Sequence, residues 1–132
     1  MAHIELDSNI IDDPKFAITP SEHNKGLMWV EEPTAMVFLF NSTKNRKFWM
    51  KNTPLSLDII FCLNGTVVDI VTGKPFSEDL IGPEKEIKSD IVIEVPAGYC
   101  KKHNIDKGST VKIKYDKKLR ERILDRENAN HQ

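Results

Sequence analysis

Apolar runs separated by short polar turns dominate the middle of the chain and predict a mainly β fold. Runs at residues 35–40 and 57–62 are continuous, which is typical of strands covered on both faces. The pair Asn64-Gly65 follows the second run, and both residues tolerate the positive φ of a two-residue hairpin turn. Residues 46–51 alternate only partly, which places Phe48 and Met50 on one face and Trp49 and Lys51 on the other. Strands are predicted at residues 35–40, 57–62, 66–71, 91–95 and 110–115. This spacing predicts a compact single domain resembling a β-sandwich or barrel.

Helical patterns occupy shorter segments at both sides of the predicted strands. Thr19-Pro20-Ser21-Glu22 reads as a capping box with proline at the first helical position, which predicts a helix to about Trp29. Residues 99–104 could add one or two helical turns. In the C-terminal segment, apolar residues recur at helical spacing on one face, as Tyr115, Leu119 and Ile123, with Leu124 alongside. The fold is therefore expected to carry one or two short helices and a C-terminal helix.

The chain divides into an acidic N-terminal arm (residues 1–14), a β domain (15–115) and a charged C-terminal helix or tail (116–132). The apolar residues of the N-terminal arm could add an edge strand or pack onto a neighbouring molecule. The C-terminal helix could pack on the domain itself, or bind another subunit through Leu119, Arg122 and Ile123. Both arms thus predict a protein partner or a homo-oligomer.

Charge and length exclude several classes of function. A formal net charge of -1 over 132 residues gives no general attraction for nucleic acid or anionic lipid. The chain has no apolar run long enough for a transmembrane helix and no signal-peptide pattern at its start. We therefore expect a cytoplasmic protein, or one within a particle assembled in the cytoplasm. The widely spaced Cys62 and Cys100 are predicted to be buried free thiols, with a single disulfide as the alternative.

The segment Phe48 to Asn52 and the nearby Asp58 are the candidate ligand-binding residues. Trp49 beside Lys51 could form a platform for a ligand, although a tryptophan closing one end of a barrel explains the pattern equally well. Asp58 lies within an apolar run, where an ionised carboxylate is costly unless it is paired. It could tie the segment of Trp49 to the next strand, or face a ligand. Trp49, Lys51, Asn52 and Asp58 are thus the predicted site.

No complete catalytic or metal-binding set is found in the sequence. The four histidines are scattered, so neither a metal site nor a cofactor is expected. Cys100 lies near Lys101, Lys102 and His103, so a thiol with a lowered pKa is one hypothesis for a nucleophile. Met28, Met36 and Met50 are expected to fill the core. These observations predict that the protein is not an enzyme.

Several motifs resemble a known family in content and order. They are Gly26-Leu27-Met28, Met36-Val37-Phe38-Leu39-Phe40, Phe48-Trp49-Met50-Lys51-Asn52-Thr53, Leu57-Asp58-Ile59-Ile60-Phe61, Asn64-Gly65-Thr66-Val67-Val68 and Glu94-Val95-Pro96-Ala97-Gly98. Together they resemble the family known as domain of unknown function 192, over about residues 17–115. The resemblance implies a mainly β fold without an established activity. The family usually has arginines around the first motif, where this chain has Lys25 and Trp29-Val30-Glu31, so no site residue is carried over from those arginines.

Two functions are consistent with these patterns. The first is a non-enzymatic structural component, held by its terminal arms in a larger assembly such as a virion particle. The alternative is a domain that binds a sugar or another small metabolite through Trp49, Lys51, Asn52 and Asp58.

Overall fold

The computed structural model describes residues 1–130, which form eight strands and three helices. They are β1 (His3–Leu6), β2 (Asn9–Asp12), β3 (Lys15–Ala17), α1 (Pro20–Lys25), β4 (Met36–Lys44), β5 (Leu57–Leu63), β6 (Thr66–Gly73), β7 (Ser89–Pro96), α2 (Tyr99–Lys102), β8 (Val111–Lys114) and α3 (Lys117–Asn130). The expected mainly β domain with short helices and a C-terminal helix is confirmed. Helix α3 covers residues 117–130 of the predicted C-terminal helix or tail (116–132), and residues 131–132 lie outside the described residues.

The strands form two sheets rather than a closed barrel. The order is β2-β1-β8 in the three-stranded sheet and β3-β4-β7-β5-β6 in the five-stranded sheet. All strand pairs are antiparallel except β3 with β4. β5 and β6 form the hairpin that the sequence predicts, since Asn64 and Gly65 have φ values of 50° and 79°. β7 lies at the centre of the larger sheet.

Each face of the five-stranded sheet is covered by its own apolar core. On one face, Ile60 and Ile93 pack with Leu6 of the small sheet and with Leu119 of α3. On the other face, the core contains the buried side chains of Phe38, Phe61, Leu57, Val92 and Met50. Side chains alternate across a strand, so each strand contributes to both cores. The molecule therefore has layers on both sides of the central sheet.

Both terminal segments contact the β domain of the same chain. β1 pairs with β8, with Ile4 opposite Ile113. Asp116 accepts hydrogen bonds from the backbone nitrogens of Ala2 (3.2 Å) and Leu119 (2.8 Å), and the second bond satisfies a free N–H at the start of α3. The N-terminal arm therefore adds strands within the chain, which is one of the two possibilities that the sequence left open.

The residues expected to bind a partner on α3 make contacts within the chain. Leu119 is only 3% exposed, Ile123 packs against the same core, and Arg122 forms a salt bridge of 2.8 Å with Glu22 of α1. An apolar stripe on a helix is satisfied equally well by its own domain or by another subunit. In this structure the domain itself packs against Tyr115, Leu119 and Ile123, whereas Leu124 stays exposed.

Residues 46–51 do not form the strand that their partial alternation suggests. Phe48 makes an isolated bridge with Ile81, and the backbone nitrogen of Met50 donates to the carbonyl of Ser77 at 2.8 Å. The predicted alternation of faces is nevertheless present, because Met50 is buried whereas Trp49 is 41% exposed. The segment is irregular because it pairs with a loop rather than with a regular strand.

Helix α1 has the predicted capping box but ends at Lys25, earlier than expected. Thr19 accepts from the Glu22 backbone nitrogen, and the Glu22 carboxylate accepts from the Thr19 backbone nitrogen. Gly26 then adopts a φ of 49°, and a Cβ there would lie 3.3 Å from the Phe38 ring. The chain turns away from the helical path at this glycine. Within residues 1–130, none of the helices has the length and apolar character required to span a bilayer.

Candidate functional site

A cavity of about 440 Å³ lies beside α1, over the face of the sheet that carries the Phe38 core. The segment from Asn45 to Thr53 forms a second side of this cavity, and Trp49 and Lys51 belong to its lining. The structure therefore brings together two of the four predicted ligand-binding residues. The volume is within the range of about 300–1,000 Å³ that is common for small-molecule sites.

Glu94, on the central strand β7, supplies a buried carboxyl group to the cavity. It lies opposite Met36 of β4 and Ile59 of β5, and only 4% of the residue is exposed. Among residues 1–130, no hydrogen-bond donor or cation pairs with this carboxyl. Burial alone raises its pKa to about 8. Glu94 is therefore mostly protonated at neutral pH, so that it can donate a hydrogen bond as well as accept one.

Gly26 leaves room for the Glu94 carboxyl at the end of α1. A Cβ at position 26 would lie 3.9 Å from Glu94 Oε1, in addition to its close approach to the Phe38 ring. Because the φ of Gly26 is positive, other residues would also be strained here. The motif Gly26-Leu27-Met28 therefore places a residue without a side chain next to the Glu94 carboxyl.

Four cationic side chains line the same cavity, namely Lys25, Arg46, Lys47 and Lys51. The Arg46 guanidinium lies 3.5 Å from the centroid of the Phe40 ring, and its Nε donates to the Ser89 carbonyl at 3.2 Å. The Lys51 ammonium lies 5.1 Å from the Trp49 ring centroid, within the range of a cation–π contact. These contacts hold positive charge at the lining of the cavity. Within residues 1–130, none of the four cations forms a salt bridge with Glu94.

His23 of α1 contributes a neutral imidazole to the cavity lining. Its Nε2 lies 3.0 Å from the carbonyl oxygens of both Ala17 and Leu39. Because both neighbours are acceptors, Nε2 must carry the proton of the neutral ring, and Nδ1 remains an acceptor. Burial lowers the pKa of His23, which favours the neutral form.

The turn that follows Lys51 connects three loops beside the cavity. Asn52 has a φ of 56°, and its carbonyl accepts from the backbone nitrogen of Trp29 at 2.7 Å. The next carbonyl, of Thr53, accepts from the backbone nitrogen of Phe76 at 3.0 Å. The structure thus gives the Asn52 backbone a positioning role, and its side chain is not part of the cavity lining.

Two aromatic residues are held by this turn in an uncommon backbone conformation. Trp29 and Phe76 have φ values of 63° and 62°, and both side chains are exposed. Bulky residues adopt positive φ infrequently, because the Cβ approaches neighbouring backbone atoms. The hydrogen bonds to Asn52 and Thr53 offset part of this cost.

Asp58 lies on the opposite face of the sheet from the cavity. Its carboxylate accepts hydrogen bonds from the backbone nitrogens of Gly98 (3.1 Å) and Cys100 (3.0 Å), at the start of α2. The structure therefore does not bring Asp58 together with Trp49 and Lys51. The alternative structural role agrees with this position, although the carboxylate anchors α2 rather than the segment around Trp49.

The hypothesis of an activated Cys100 thiol is wrong. Burial, together with the charge of Asp58, raises the pKa of Cys100 to about 12. Lys101 and Lys102 are exposed and do not offset these effects. Cys62 and Cys100 are both buried free thiols, as the sequence predicts. In the part of the chain that the structure describes, no three potential ligands from His, Cys, Asp and Glu cluster as a metal site would require.

Sequence reasoning missed Glu94 and three of the four cations around the cavity, Lys25, Arg46 and Lys47. Glu94 lies in the apolar run 91–95, so the argument applied to Asp58, that a carboxylate inside a strand needs a partner, applies here as well. The cations could not be found in this way, because Lys25 and Arg46 come from segments that approach each other only in the folded chain.

Comparisons with known proteins agree with this description of the fold. A protein of unknown function from Novosphingobium aromaticivorans DSM 12444 has a similar structure, with a TM-score of 0.77 and 28% identity over 83% of each chain. A protein from Sinorhizobium meliloti 1021, proposed to be a transcription regulator, also has a TM-score of 0.77 and 28% identity, over 86% of this chain and 94% of that one. None of the curated proteins matches the chain.

The sequence also matches the profile of a protein family over most of its length. The match extends over residues 4–113, and the family, DUF192, is described as an uncharacterized ACR. It begins earlier than the expected residue 17 and so includes β1, which pairs with β8. The N-terminal strands are therefore part of the family's domain rather than an addition to it. The chain belongs to the domain of unknown function 192 family.

Proposed function

We propose that this domain binds a small organic molecule in the cavity lined by Trp49, Lys51 and Glu94. The observation that carries the proposal is the carboxyl of Glu94, which lines the cavity and has no hydrogen-bond partner among residues 1–130. Its oxygens are open to the cavity, since the fully enclosed side-chain atoms without a partner in the described residues are Ser89 Oγ, Asp90 Oδ1 and Arg126 Nε. A ligand in the cavity can therefore exchange hydrogen bonds with this acid.

The lining of the cavity supports this function. Trp49 offers an aromatic surface that is partly exposed, and the Lys51 ammonium lies over its ring. Apolar surface with a few polar groups at fixed positions is the usual composition of a small-molecule site. The hydrogen bonds from Trp29 and Phe76 to the turn at Asn52 hold this segment in place. A preformed site loses less conformational entropy when a ligand binds.

A role in a larger assembly, attached through the terminal arms, stays a prediction. Both arms make contacts within the chain, as the pairing of β1 with β8 and the burial of Leu119 demonstrate. These contacts explain the apolar residues of the arms without a partner. For this reason we favour the ligand-binding function over the assembly function.

The proposal can be tested by fluorescence. Trp29 and Trp49 are the two tryptophans of the chain, so the Trp29→Phe variant reports on Trp49 alone. We expect at least one compound of a metabolite library to change this fluorescence and to raise the melting temperature. Glu94→Leu should abolish both responses and still fold, because it replaces a buried carboxyl with an apolar group of similar size. Glu86→Gln, at an exposed position, is the control.

Two results would contradict the proposal. The first is a library in which no compound changes the fluorescence of Trp49 or the melting temperature. The second is a compound that binds the Glu94→Leu variant as tightly as the parent protein, because the buried carboxyl would then have no part in binding.

A further inference from the structure

We propose that the ligand is a cyclic organic anion, whose carboxylate is held by the lysines of the cavity and whose ring lies on Trp49. This inference rests on the proposed function and adds the chemical class of the ligand. It is carried by the imbalance of charge around the cavity, by the burial of the Glu94 carboxyl and by the aromatic and apolar residues of the lining.

Among residues 1–130, no cation of the cavity forms a salt bridge. Burial lowers the pKa of Arg46, although the nearby Asp90 interacts electrostatically with it and acts to raise this pKa. Contacts between oppositely charged side chains within residues 1–130 are His3 with Glu5, Lys107 with Asp69, and Arg122 with Glu22. None of these pairs includes a cation of the cavity. Four positive side chains around a concave surface create a positive potential there, and such a potential attracts anions.

The four cations differ in the number of hydrogen bonds that their side chains donate to the protein. Arg46 donates to the carbonyls of Ser89 and Ser42, and Lys47 donates to the carbonyl of Pro83. Among residues 1–130, Lys25 and Lys51 donate no side-chain hydrogen bond to the protein. These two ammonium groups are therefore the ones that a ligand carboxylate would engage, while Arg46 and Lys47 contribute mainly through their charge.

Glu94 does not oppose the binding of an anion at neutral pH. Burial raises its pKa to about 8, so the carboxyl is mostly uncharged. The other titratable or charged groups of the lining are His23 and Lys25 from the α1 side and Arg46, Lys47 and Lys51 from the facing segment. A bound carboxylate would favour the proton on Glu94 still further, because it adds negative charge nearby.

The remaining lining includes apolar residues and an aromatic ring on which a cyclic ligand could stack. Trp49, Phe48 and Leu80 contribute apolar surface to the cavity, and the indole of Trp49 is partly exposed. Aromatic rings stack on aromatic or sugar rings through their faces. A ligand with a carboxylate on a ring would therefore contact the indole and the lysines at the same time.

Matched acids and amides test the inference. The acids are benzoate, phenylacetate, cyclohexanecarboxylate and galacturonate, and each is compared with its primary amide by calorimetry and by Trp49 fluorescence in the Trp29→Phe background. We expect at least one acid to bind about tenfold or more tightly than its amide, since hydrogen bonds to charged groups are stronger. Added salt should weaken this binding.

Lysine variants locate the binding. Lys51→Gln and Lys25→Gln should each weaken acid binding about tenfold and leave amide binding unchanged. Lys112→Gln, at an exposed position on β8, is the matched control and should bind like the parent protein. All three residues are at least partly exposed, so the variants are expected to fold.

The outcomes separate this inference from the proposed function. If amides bind as tightly as acids, the anion inference is overturned and ligand binding stands. If inorganic phosphate binds as tightly as the acids, or if the Lys51→Gln and Lys25→Gln variants retain full affinity, the cyclic anion at this site is also overturned. If library compounds outside this class bind the parent protein but neither acids nor amides do, only the inference fails. If no compound binds at all, both fail.

Discussion

Asp58 and Glu94 are buried carboxylic acids on neighbouring strands that point to opposite faces of the same sheet. Asp58 lies opposite Val95 in the pairing of β5 with β7, and Glu94 lies opposite Ile59. Because successive side chains alternate between faces, the shift of one residue separates the two acids. Asp58 accepts two backbone hydrogen bonds, whereas Glu94 has no partner among residues 1–130. One acid therefore supports the fold, and the other is available to a ligand.

Asp58→Ala should destabilise the protein by about 2–4 kcal/mol, because the backbone nitrogens of Gly98 and Cys100 would lose a charged acceptor. Urea unfolding followed by circular dichroism measures this change. Asp79→Ala, at an exposed position, is the control and should change the free energy of unfolding by less than about 0.5 kcal/mol. Equal effects of the two substitutions would contradict the role assigned to Asp58.

Glu94 should make the protein less stable as the pH rises. Its pKa is raised from 4.5 to about 8 in the folded state, so the unfolded chain loses this proton first. The contribution of Glu94 is fully present below about pH 4.5 and is lost as the pH passes through about 8. The loss is on the order of a few kcal/mol.

The Glu94→Gln variant isolates this contribution. Urea unfolding of the parent protein and the variant from about pH 5 to pH 9 should show the parent losing stability relative to the variant. The difference between the two proteins removes the effect of other groups, such as His23, whose lowered pKa acts in the opposite direction. A constant difference across this range would show that Glu94 titrates normally.

Two leucines of α3 should respond differently to the same substitution. Leu119 is 3% exposed and packs in the core, whereas Leu124 is 55% exposed. Leu119→Ala should therefore cost about 2–4 kcal/mol in the free energy of unfolding, and Leu124→Ala less than about 0.5 kcal/mol. Urea unfolding of both variants checks this. If Leu119→Ala proved as mild as Leu124→Ala, α3 would not pack on the domain as described.

The thiols of Cys62 and Cys100 should react with a disulfide reagent only after unfolding. Both are buried, and the pKa of each is raised, to about 12 in the case of Cys100. The reactive thiolate is therefore scarce at neutral pH. Reaction of a cysteine with the reagent releases the reagent's own coloured thiol, whose absorbance is followed with and without denaturant. The Cys62→Ser and Cys100→Ser variants assign each kinetic phase to one cysteine. Rapid reaction of Cys100 in the folded protein would contradict this prediction.

Features set by neighbouring residues could be predicted from the sequence. The hairpin at Asn64-Gly65 and the capping box of Thr19 and Glu22 both agree with the structure. The alternation of Trp49 and Met50 between surface and core was also predicted correctly. The irregular path of residues 46–51 could not be predicted, because it depends on pairing with a loop that is distant in the sequence.

The sequence by itself determined the strands β4 to β8, the hairpin turn, the start of α1 and the family, because these depend on local backbone preference and on hydrophobic pattern. Only the tertiary structure decided that Asp58 binds the backbone of α2 and that Glu94 faces Gly26. It also decided that the lysines around Trp49 share one cavity. Each of these relationships joins segments that are far apart in the chain, and their proximity follows from sheet order and register, which the local pattern leaves open.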